Sequence, residues 1–138
     1  MRNAGQITPD SPKMPDADVR ERQARLILEE ALETVEALGF LVRSYRPDAY
    51  IGPRLTDIDL ERMDPNLVEI ADGCADMSVV AMGTLLSCGI DDVELLKEVD
   101  ESNLRKFGEG SYRREDGKWM KPPGWEPPNI QGVLDALK

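Results

Sequence analysis

The amino-acid sequence predicts an all-α protein, and two observations lead to that prediction. Hydrophobic residues make up 41% of the 138 residues but aromatic residues only 5%, so the core has to consist mainly of Leu, Val, Ile, Ala and Met. Such a core favours helices over a β-sandwich. In residues 67–90, moreover, nearly every position is apolar or small, which is typical of a helix that is buried on most of its circumference. A chain of this length is the size of one domain.

Capping residues mark where the predicted helices begin and end. Asp16 or Asp18 is able to cap the first helix. Asp64 and Pro65 predict the start of the second helix, because aspartate is a preferred cap and proline suits the first helical position. Gly89 then provides the residue that commonly ends a helix. The four predicted helices cover residues 19–43, 65–88, 93–107 and 130–137.

Two further segments are expected to lack long helices. Residues 1–18 are polar and contain three prolines, so we expect a flexible N-terminal arm before a single α-helical domain over residues 19–138. Residues 44–64 are expected to begin as a loop and to include one or two helical turns at residues 56–63.

The segment 109–128 differs in character from the helices. Its prolines forbid a helix, and Asp116-Gly117 is a hairpin-type turn signal, so we expect a two-stranded hairpin or a structured loop. The segment also carries two lysines and two tryptophans, which either contact a phosphate and a base or pin the tail to the helices. These residues are Lys118, Lys121, Trp119 and Trp125.

The second predicted helix carries three carboxylates on one face. Glu69, Asp72 and Asp76 are separated by offsets of three and seven, which at about 100° per residue brings them together. No Lys or Arg lies between Glu69 and Ile90. Because buried carboxylates are costly unless they are paired or coordinate a metal, this face is expected to meet a cation.

The first predicted helix carries a second acidic cluster, formed by Glu29, Glu30 and Glu33. Two carboxylates about 5–6 Å apart repel by roughly 3 kcal/mol at an effective dielectric near 20. Converging clusters would therefore require divalent cations such as Mg²⁺ or Mn²⁺, which prefer oxygen ligands. Alternatively, these glutamates form the solvated face of an ordinary amphipathic helix, because the apolar stripe lies elsewhere. The stripe comprises Ile27, Leu28, Ala31, Leu32, Val35 and Leu38.

Composition excludes several classes of function. The chain has no histidine, so His-ligated zinc sites, Ser-His-Asp and Cys-His catalysis and Glu-x-x-His di-iron sites are not available to it. Its net charge of −10 argues against general binding to nucleic acid polymers or anionic membranes.

We expect a cytoplasmic protein. Cys74 and Cys88 lie fourteen positions apart on one predicted helix, about 21 Å along its axis, so they cannot pair with each other. Free thiols indicate a reducing compartment. The longest uncharged run, residues 77–90, has fourteen residues and is too short to span a bilayer, and the polar N-terminus lacks the apolar core of a signal peptide.

Taken in order, these motifs resemble the all-α nucleoside triphosphate pyrophosphohydrolases, a superfamily that includes MazG-like proteins, dimeric dUTPases and phosphoribosyl-ATP pyrophosphohydrolase. The superfamily signature is ExxE on one helix and ExxD on a later one, here Glu30–Glu33 and Glu69–Asp72. The similarity is to the short single-domain MazG-like branch and covers about residues 22–130. Its further matches are Asp76, Gly83-Thr84, Gly89-Ile90-Asp91, Glu98-Val99, Ser102-Asn103, Lys106, Gly117-Lys118, Lys121-Pro122 and the segment from Trp125 to Ile130.

The resemblance implies a fold, a cofactor and a mechanism. The fold is a four-helix-bundle-type MazG-like fold with a short C-terminal hairpin or loop, completed by oligomerisation as a homodimer or homotetramer. Two or three Mg²⁺ or Mn²⁺ ions would be held by the acids, and Glu29 would orient or deprotonate the water that attacks the α-phosphorus. The implied metal ligands are Glu30, Glu33, Glu69, Asp72 and Asp76. The implied substrate-binding residues for phosphate oxygens are Asn103, Lys106, Lys118 and Lys121. Trp125 is a further candidate for substrate binding, since Trp119, Trp125 or Tyr112 is able to stack on a base.

Three functions are consistent with the sequence. The first is hydrolysis of free nucleoside or deoxynucleoside triphosphates to a monophosphate and pyrophosphate, with purine substrates such as dGTP or GTP favoured. The second is the activity of another member of the superfamily, a dUTPase or a phosphoribosyl-ATP pyrophosphohydrolase. The third is a non-catalytic helical protein whose acids hold structural cations or face a basic partner.

Overall fold

The computed structural model describes residues 8–44 and 58–138, and helices dominate these ranges. The all-α class is therefore confirmed, with two small antiparallel sheets added. In chain order the elements are α1 (Ala17–Ala37), β1 (Phe40–Ser44), β2 (Ile58–Arg62), α2 (Leu67–Ser87), α3 (Asp92–Arg105), β3 (Tyr112–Arg113), β4 (Trp119–Met120) and α4 (Ile130–Ala136).

The described residues belong to two compact units. The N-terminal unit is Asp16–Thr84, and the C-terminal unit consists of Leu85–Lys138 together with residues 8–15. The chain passes from one unit to the other within α2, near its C-terminal end.

In the N-terminal unit, α1 and α2 pack side by side in antiparallel orientation. Thr84 Oγ1 donates a hydrogen bond of 3.1 Å to Gln23 Oε1. At the other end, Gly73 lies so close to Thr34 that an added Cβ would come within 2.5 Å of Thr34 Oγ1. These two contacts are eleven residues apart on each helix but run in opposite chain directions, which defines the antiparallel orientation.

The face that α1 buries is not its apolar stripe. The buried side chains of α1 are Gln23, Thr34 and Ala37. In contrast, Leu28 of the stripe is 60% exposed. The packing face is selected by close approach of small residues, and the large aliphatic side chains are left on the surface.

α2 also leaves apolar side chains exposed. Leu67 is 80% exposed, Val68 77% and Val79 54%. Leu67–Ser87 is long and apolar enough to cross a membrane when judged by length and composition alone. The core helices of soluble proteins meet the same two criteria. Val68 and Val79 are about three helical turns apart and therefore lie on the same side of α2.

The end of the first helix differs from the sequence prediction. The prediction of helix to residue 43 is wrong, because α1 ends at Ala37 and Phe40–Ser44 forms strand β1. Gly39 turns the chain with φ +89°, and its backbone lies against Met63, whose N–H donates to Gly39 O at 2.7 Å. A side chain at this position would collide with the Met63 carbonyl oxygen, so glycine permits the reversal.

The segment after β1 is also extended where described. β2 pairs antiparallel with β1, with Phe40 opposite Arg62. The prediction of helical turns at residues 56–63 is therefore wrong for the strand Ile58–Arg62. The expected loop at residues 45–57 lies outside the described residues.

The start of α2 is shifted by two residues from the predicted Asp64–Pro65 position. Asn66 is the cap, since its Oδ1 accepts from Val68 N at 3.1 Å and from Glu69 N at 3.4 Å. The predicted end is confirmed. Gly89 has φ +70° and its N–H donates to Leu86 O, while the next N–H donates to Leu85 O, which is a Schellman-type ending.

The C-terminal unit follows the sequence prediction closely. Asp91 Oδ1 caps α3 by accepting from Val93 N at 2.8 Å. The predicted hairpin is present as β3 and β4, with Gly117 at φ +85° in its turn. The Arg114 guanidinium, together with the Lys118 backbone N–H, holds the pKa of the turn residue Asp116 below its usual value.

The described residues before α1 have no regular secondary structure but are bound to the C-terminal unit. Lys13 N donates to Cys88 O at 2.8 Å. Gly89 lies against Ser11, where an added Cβ would come within 2.3 Å of the Ser11 carbonyl oxygen. This part of the predicted arm is held at the C-terminal end of α2.

Candidate active site

The acids predicted on two separate helices line one cleft of the N-terminal unit. The cleft lies between α1 and α2 and has a volume of about 270 Å³. Five of its seven lining residues are acidic. The lining residues are Glu33, Glu36, Ala37, Glu69, Asp72, Gly73 and Asp76.

The close crossing of the helices brings these acids together. Gly73 lies in the same turns of α2 as Asp72 and Asp76, and Thr34 follows Glu33 on α1. Because Gly73 has no side chain, the two backbones approach closely at this level. Thr34 Oγ1 donates to Glu30 O at 2.7 Å, so its hydroxyl is satisfied within α1 and Thr34 is able to pack against α2.

The pKa of Glu30 is affected by acids of both helices. Its pKa is raised, first because the half-buried carboxylate loses hydration, and then because Asp76, Glu33, Glu29 and Asp72 repel its negative charge. Asp76 and Asp72 belong to α2, so the repulsion acts across the cleft. Glu30 is therefore part of the acidic cluster even though it does not line the cleft itself.

No cation neutralises the cluster within residues 8–44 and 58–138. The ion pairs found there involve other acids, namely Glu21, Glu61, Glu94, Glu98, Asp116 and Asp135. In the same residues, no group of three or more Asp, Glu or Cys side chains is drawn into an arrangement that could already hold a metal ion. The cluster consists of separate, mutually repelling carboxylates.

The donor set fits hard divalent cations. All its ligands are carboxylate oxygens, which suit Mg²⁺ and Mn²⁺, and several of them repel one another. A divalent ion would replace that repulsion by attraction. The predicted metal ligands therefore match the ion in chemistry, while the ligation itself stays a prediction.

Four of the acids predicted as metal ligands line the cleft, and one further acid that was not predicted lines it as well. Glu33, Glu69, Asp72 and Asp76 line the cleft as a group. Glu36 lines it too, and its offset of three from Glu33 was the signal that could have identified it. The predicted water-activating residue Glu29 is exposed on α1 and acts on the pKa of Glu30.

Four of the five predicted substrate-binding residues form a second cluster, in the C-terminal unit. We call this cluster the Trp125 corner and define it as Ser102, Asn103, Lys106, Trp119, Lys121 and Trp125. Trp125 Nε1 donates to Ser102 O at 3.0 Å, and Trp119 Nε1 donates to Lys106 O at 3.0 Å. The two indoles thus attach the hairpin segment to the end of α3.

Two lysines approach one indole ring in this corner. Lys121 Nζ lies 3.6 Å from the Trp125 ring centroid and Lys106 Nζ lies 5.5 Å from it. Lys106 Nζ also donates to Asn103 Oδ1 at 2.6 Å. Lys118, the remaining predicted phosphate ligand, is exposed on the hairpin and makes none of these described contacts.

An all-α chain in which Glu33 of ExxE and both acids of ExxD line one cleft, with Glu30 electrostatically coupled to them, has the features of a MazG-like nucleotide pyrophosphohydrolase. Comparison with known families agrees, since residues 4–103 match the sequence model of phosphoribosyl-ATP pyrophosphohydrolase. The chain belongs to the phosphoribosyl-ATP pyrophosphohydrolase family, which lies within the MazG-like superfamily. No curated protein matches the chain.

The family match includes every acid of the cleft and ends at Asn103. It identifies the chain as a pyrophosphohydrolase, a hydrolase of acid anhydrides. Most of the Trp125 corner lies beyond the match, from Lys106 onwards.

Proposed function

We propose that the chain hydrolyses nucleoside or deoxynucleoside triphosphates between the α- and β-phosphates, giving a nucleoside monophosphate and pyrophosphate. The single observation that supports this most strongly is the cleft of unneutralised carboxylates between α1 and α2 in a chain of a pyrophosphohydrolase family. A triphosphate is itself strongly anionic, so an acidic cleft fits such a substrate only when divalent cations accompany it.

The acids would serve as ligands for two or three Mg²⁺ or Mn²⁺ ions. We assign this role to Glu30, Glu33, Glu69 and Asp72, with Asp76 as a further ligand or a hydrogen-bond partner of the others. Such ions would offset the negative charge of the triphosphate and lower the pKa of a water molecule. Glu36 lines the same cleft and joins the candidate ligands.

Glu29 would accept the proton of the attacking water. It is exposed and adjoins Glu30, so it is accessible to solvent beside the cluster. A carboxylate in this position accepts a proton as the water oxygen forms its bond to the α-phosphorus. The bond from that phosphorus to the bridging oxygen breaks, and the electron pair leaves with pyrophosphate.

The lysines would offset the negative charge of the pyrophosphate group. We assign phosphate contacts to Lys106, Lys118 and Lys121, and a further contact to Asn103. Ammonium groups favour the transition state because negative charge grows on the leaving group as the anhydride bond breaks.

Two substrate classes fit this reaction. Purine triphosphates such as dGTP or GTP follow from the resemblance to the short MazG-like branch, which rests partly on residues beyond the family match. Phosphoribosyl-ATP is favoured by the family match itself, which covers residues 4–103. Both substrates carry a purine triphosphate, so the same acids would act on either.

We further propose that the chain works as a homodimer or homotetramer. On α2, Val68, Ala71, Ala75 and Val79 recur at offsets of three and four and are all exposed. This α2 stripe lies about a quarter of a turn from the acids, on the side away from Gly73. Water-exposed apolar stripes of this kind mark interaction surfaces, and a second copy covering the stripe would also enclose the cleft from that side.

Replacing one residue in this stripe tests the assembly. Val79→Glu would place a charge in the proposed interface, so the variant should sediment as a monomer while the wild-type chain sediments as a dimer or tetramer. Val93→Glu is the matched control, because Val93 is similarly exposed but lies on α3. Equal sedimentation of wild type and Val79→Glu would reject this surface as the interface.

A substrate panel tests the activity. The chain would be incubated with the common NTPs and dNTPs, dUTP and phosphoribosyl-ATP, each with Mg²⁺, Mn²⁺ or EDTA. Metal-dependent formation of a monophosphate and pyrophosphate is the expected result, and the substrate ranking separates the two candidates. Diphosphate and orthophosphate as products would contradict attack at the α-phosphorus. No turnover under any condition would favour the non-catalytic cation-binding alternative.

A further inference from the structure

We propose that Trp125 is a positioning residue whose indole holds Lys106 and Lys121 as a two-lysine site for a polyphosphate, and that it does not stack on a nucleobase. The inference rests on the proposed function, because it names a polyphosphate as the group that the lysines assigned there to phosphate contacts would bind. It changes the role that the sequence suggested for Trp125.

The indole of Trp125 is fixed at its polar edge. Its Nε1 donates to the backbone oxygen of Ser102 at 3.0 Å, and Ser102 is only 1% exposed. The Ser102 hydroxyl donates in turn to Glu126 O at 3.3 Å, next to Trp125 in the chain. Two hydrogen bonds therefore tie the Trp125–Glu126 segment to one buried residue of α3, which sets the plane of the ring.

One face of the Trp125 ring is already occupied. Lys121 Nζ lies 3.6 Å from the ring centroid, well within the range of about 6 Å over which a cation and an aromatic face attract each other. A base stacking on that face would have to displace the ammonium group. The structure thus assigns the face to a cation that the same chain supplies.

The second lysine makes the corner an anion site. Lys106 Nζ lies 5.5 Å from the same centroid, and its donation to Asn103 Oδ1 restrains its direction. Within the described part of the chain, neither ammonium group forms an ion pair with a carboxylate. Two ammonium groups that share one ring repel each other, and an anion bound by both removes that repulsion.

The ligand class follows from the number and type of donors. Two ammonium groups offer several N–H donors to oxygens that carry full charge, which suits adjacent phosphates of a polyphosphate. The chain as a whole is strongly acidic, with a net charge of −10. Two neighbouring ammonium groups without a carboxylate partner among the described residues are therefore unusual in this chain.

Base-free triphosphate gives the decisive probe. Binding of inorganic triphosphate to the full chain would be measured by calorimetry in EDTA, where divalent cations at the acidic cleft do not contribute. Losing one charge-assisted contact corresponds to about a tenfold or greater rise in Kd. We expect that rise for Lys121→Gln and for Trp125→Leu, and a smaller one for Trp125→Phe, which keeps an aromatic face but loses the N–H.

Lys97→Gln provides the matched control. Lys97 is an exposed lysine of α3 that lies 4.0 Å from Glu94, so the variant removes the same charge from the same unit without touching Trp125. Its Kd for triphosphate should stay within about twofold of wild type, since rim charges of this kind contribute little. Thermal unfolding shows whether each variant is folded. If Trp125→Leu does not fold, Lys121→Gln provides the test.

Two results would overturn the assignment. One is wild-type failure to bind triphosphate in EDTA. The other is unchanged triphosphate binding by Trp125→Leu combined with weaker binding of a nucleoside triphosphate, which is the signature of base stacking. Because triphosphate binding needs no turnover, a chain that binds triphosphate through these lysines but hydrolyses no nucleotide would reject the proposed function alone.

Discussion

The acidic cleft and the Trp125 corner are both clusters of like charges, but only in the corner do the charged groups have favourable partners within the chain. In the corner, each of Lys106 and Lys121 has a partner within the chain, an aromatic face or an amide oxygen. In the cleft, Glu30 gains only repulsion from the acids around it, and its pKa is raised. The lysines of the corner are held in place before a ligand binds. The carboxylates of the cleft repel one another until a ligand of opposite charge binds. We therefore expect cations to bind in the cleft and an anion to bind in the corner.

Neutralising one acid in each wall of the cleft is expected to give the largest effect. Glu33→Gln on α1 and Asp72→Asn on α2 should each lower kcat/KM by about 10³-fold, the loss typical of removing a group that stabilises transition-state charge. Steady-state kinetics with Mn²⁺ or Mg²⁺ measures this loss.

The comparison between the two regions supplies the control for these variants. Inorganic triphosphate binding in EDTA should not change, because the Trp125 corner is intact. Glu94→Gln, which alters an exposed acid of α3, should keep wild-type activity. If Glu33→Gln retained more than about a tenth of the wild-type activity, the cleft would not be the catalytic centre.

Forcing the two helices apart should give the next largest effect. Gly73→Ala places a methyl group 2.5 Å from Thr34 Oγ1. Overpacking of this kind costs about 1–3 kcal/mol, against which the better helix propensity of alanine returns about 1 kcal/mol. Urea unfolding should therefore give a free energy of unfolding that is lower than that of wild type or, at most, equal to it. Activity should also fall, because the acids of the two helices move apart.

A second substitution identifies the cause of the Gly73→Ala effect. Combining it with Thr34→Ala removes the colliding hydroxyl, so the double variant should recover part of the stability relative to the two single variants. Purely additive free energies of unfolding would show that Gly73 and Thr34 do not collide.

The smallest predicted effect is on the pH dependence of stability. Since the pKa of Glu30 is raised in the folded chain, the native state holds more protons than the unfolded chain within that pH window, and the free energy of unfolding falls as pH rises through it. Glu30→Gln removes the repulsion and should raise Tm at pH 7 in EDTA. The gain should vanish below about pH 4, where the carboxyl group is protonated in both states.

The matched control for Glu30→Gln is Glu21→Gln. Glu21 is also on α1 but pairs with Arg25 at 2.7 Å, so its removal should not raise Tm. A lower Tm for Glu30→Gln than for wild type at pH 7 would show that Glu30 makes a stabilising contact instead.

Local sequence signals predicted the elements whose ends are decided by single residues. Gly89 ends α2 as expected, because this turn depends on a single left-handed residue. The start of α3 likewise depends on one side-chain acceptor, that of Asp91. The strand pair β1–β2 was missed because it depends on contacts distant in sequence. Gly39 reverses the chain only in combination with the backbone of Met63.

The site was predictable to the extent that it follows helical spacing. Offsets of three and seven were enough to place Glu69, Asp72 and Asp76 on one face. The face of α1 that meets α2 was not predictable from hydrophobic periodicity, because it is chosen by the close approach of Thr34 to Gly73 rather than by the apolar stripe. The occupied face of Trp125 also depends on tertiary contacts that spacing does not show.

A titration with Mn²⁺ tests the central claim most directly. Electron paramagnetic resonance of free Mn²⁺ would be followed for the wild-type chain, for Glu33→Gln and Asp72→Asn, and for the control Glu94→Gln. We predict saturable binding of two or three ions per site in wild type and in the control, and loss of at least one of them in each cleft variant. Absent binding in wild type, or identical binding in all four chains, would contradict the assignment of the acidic cleft as the metal site of a pyrophosphohydrolase.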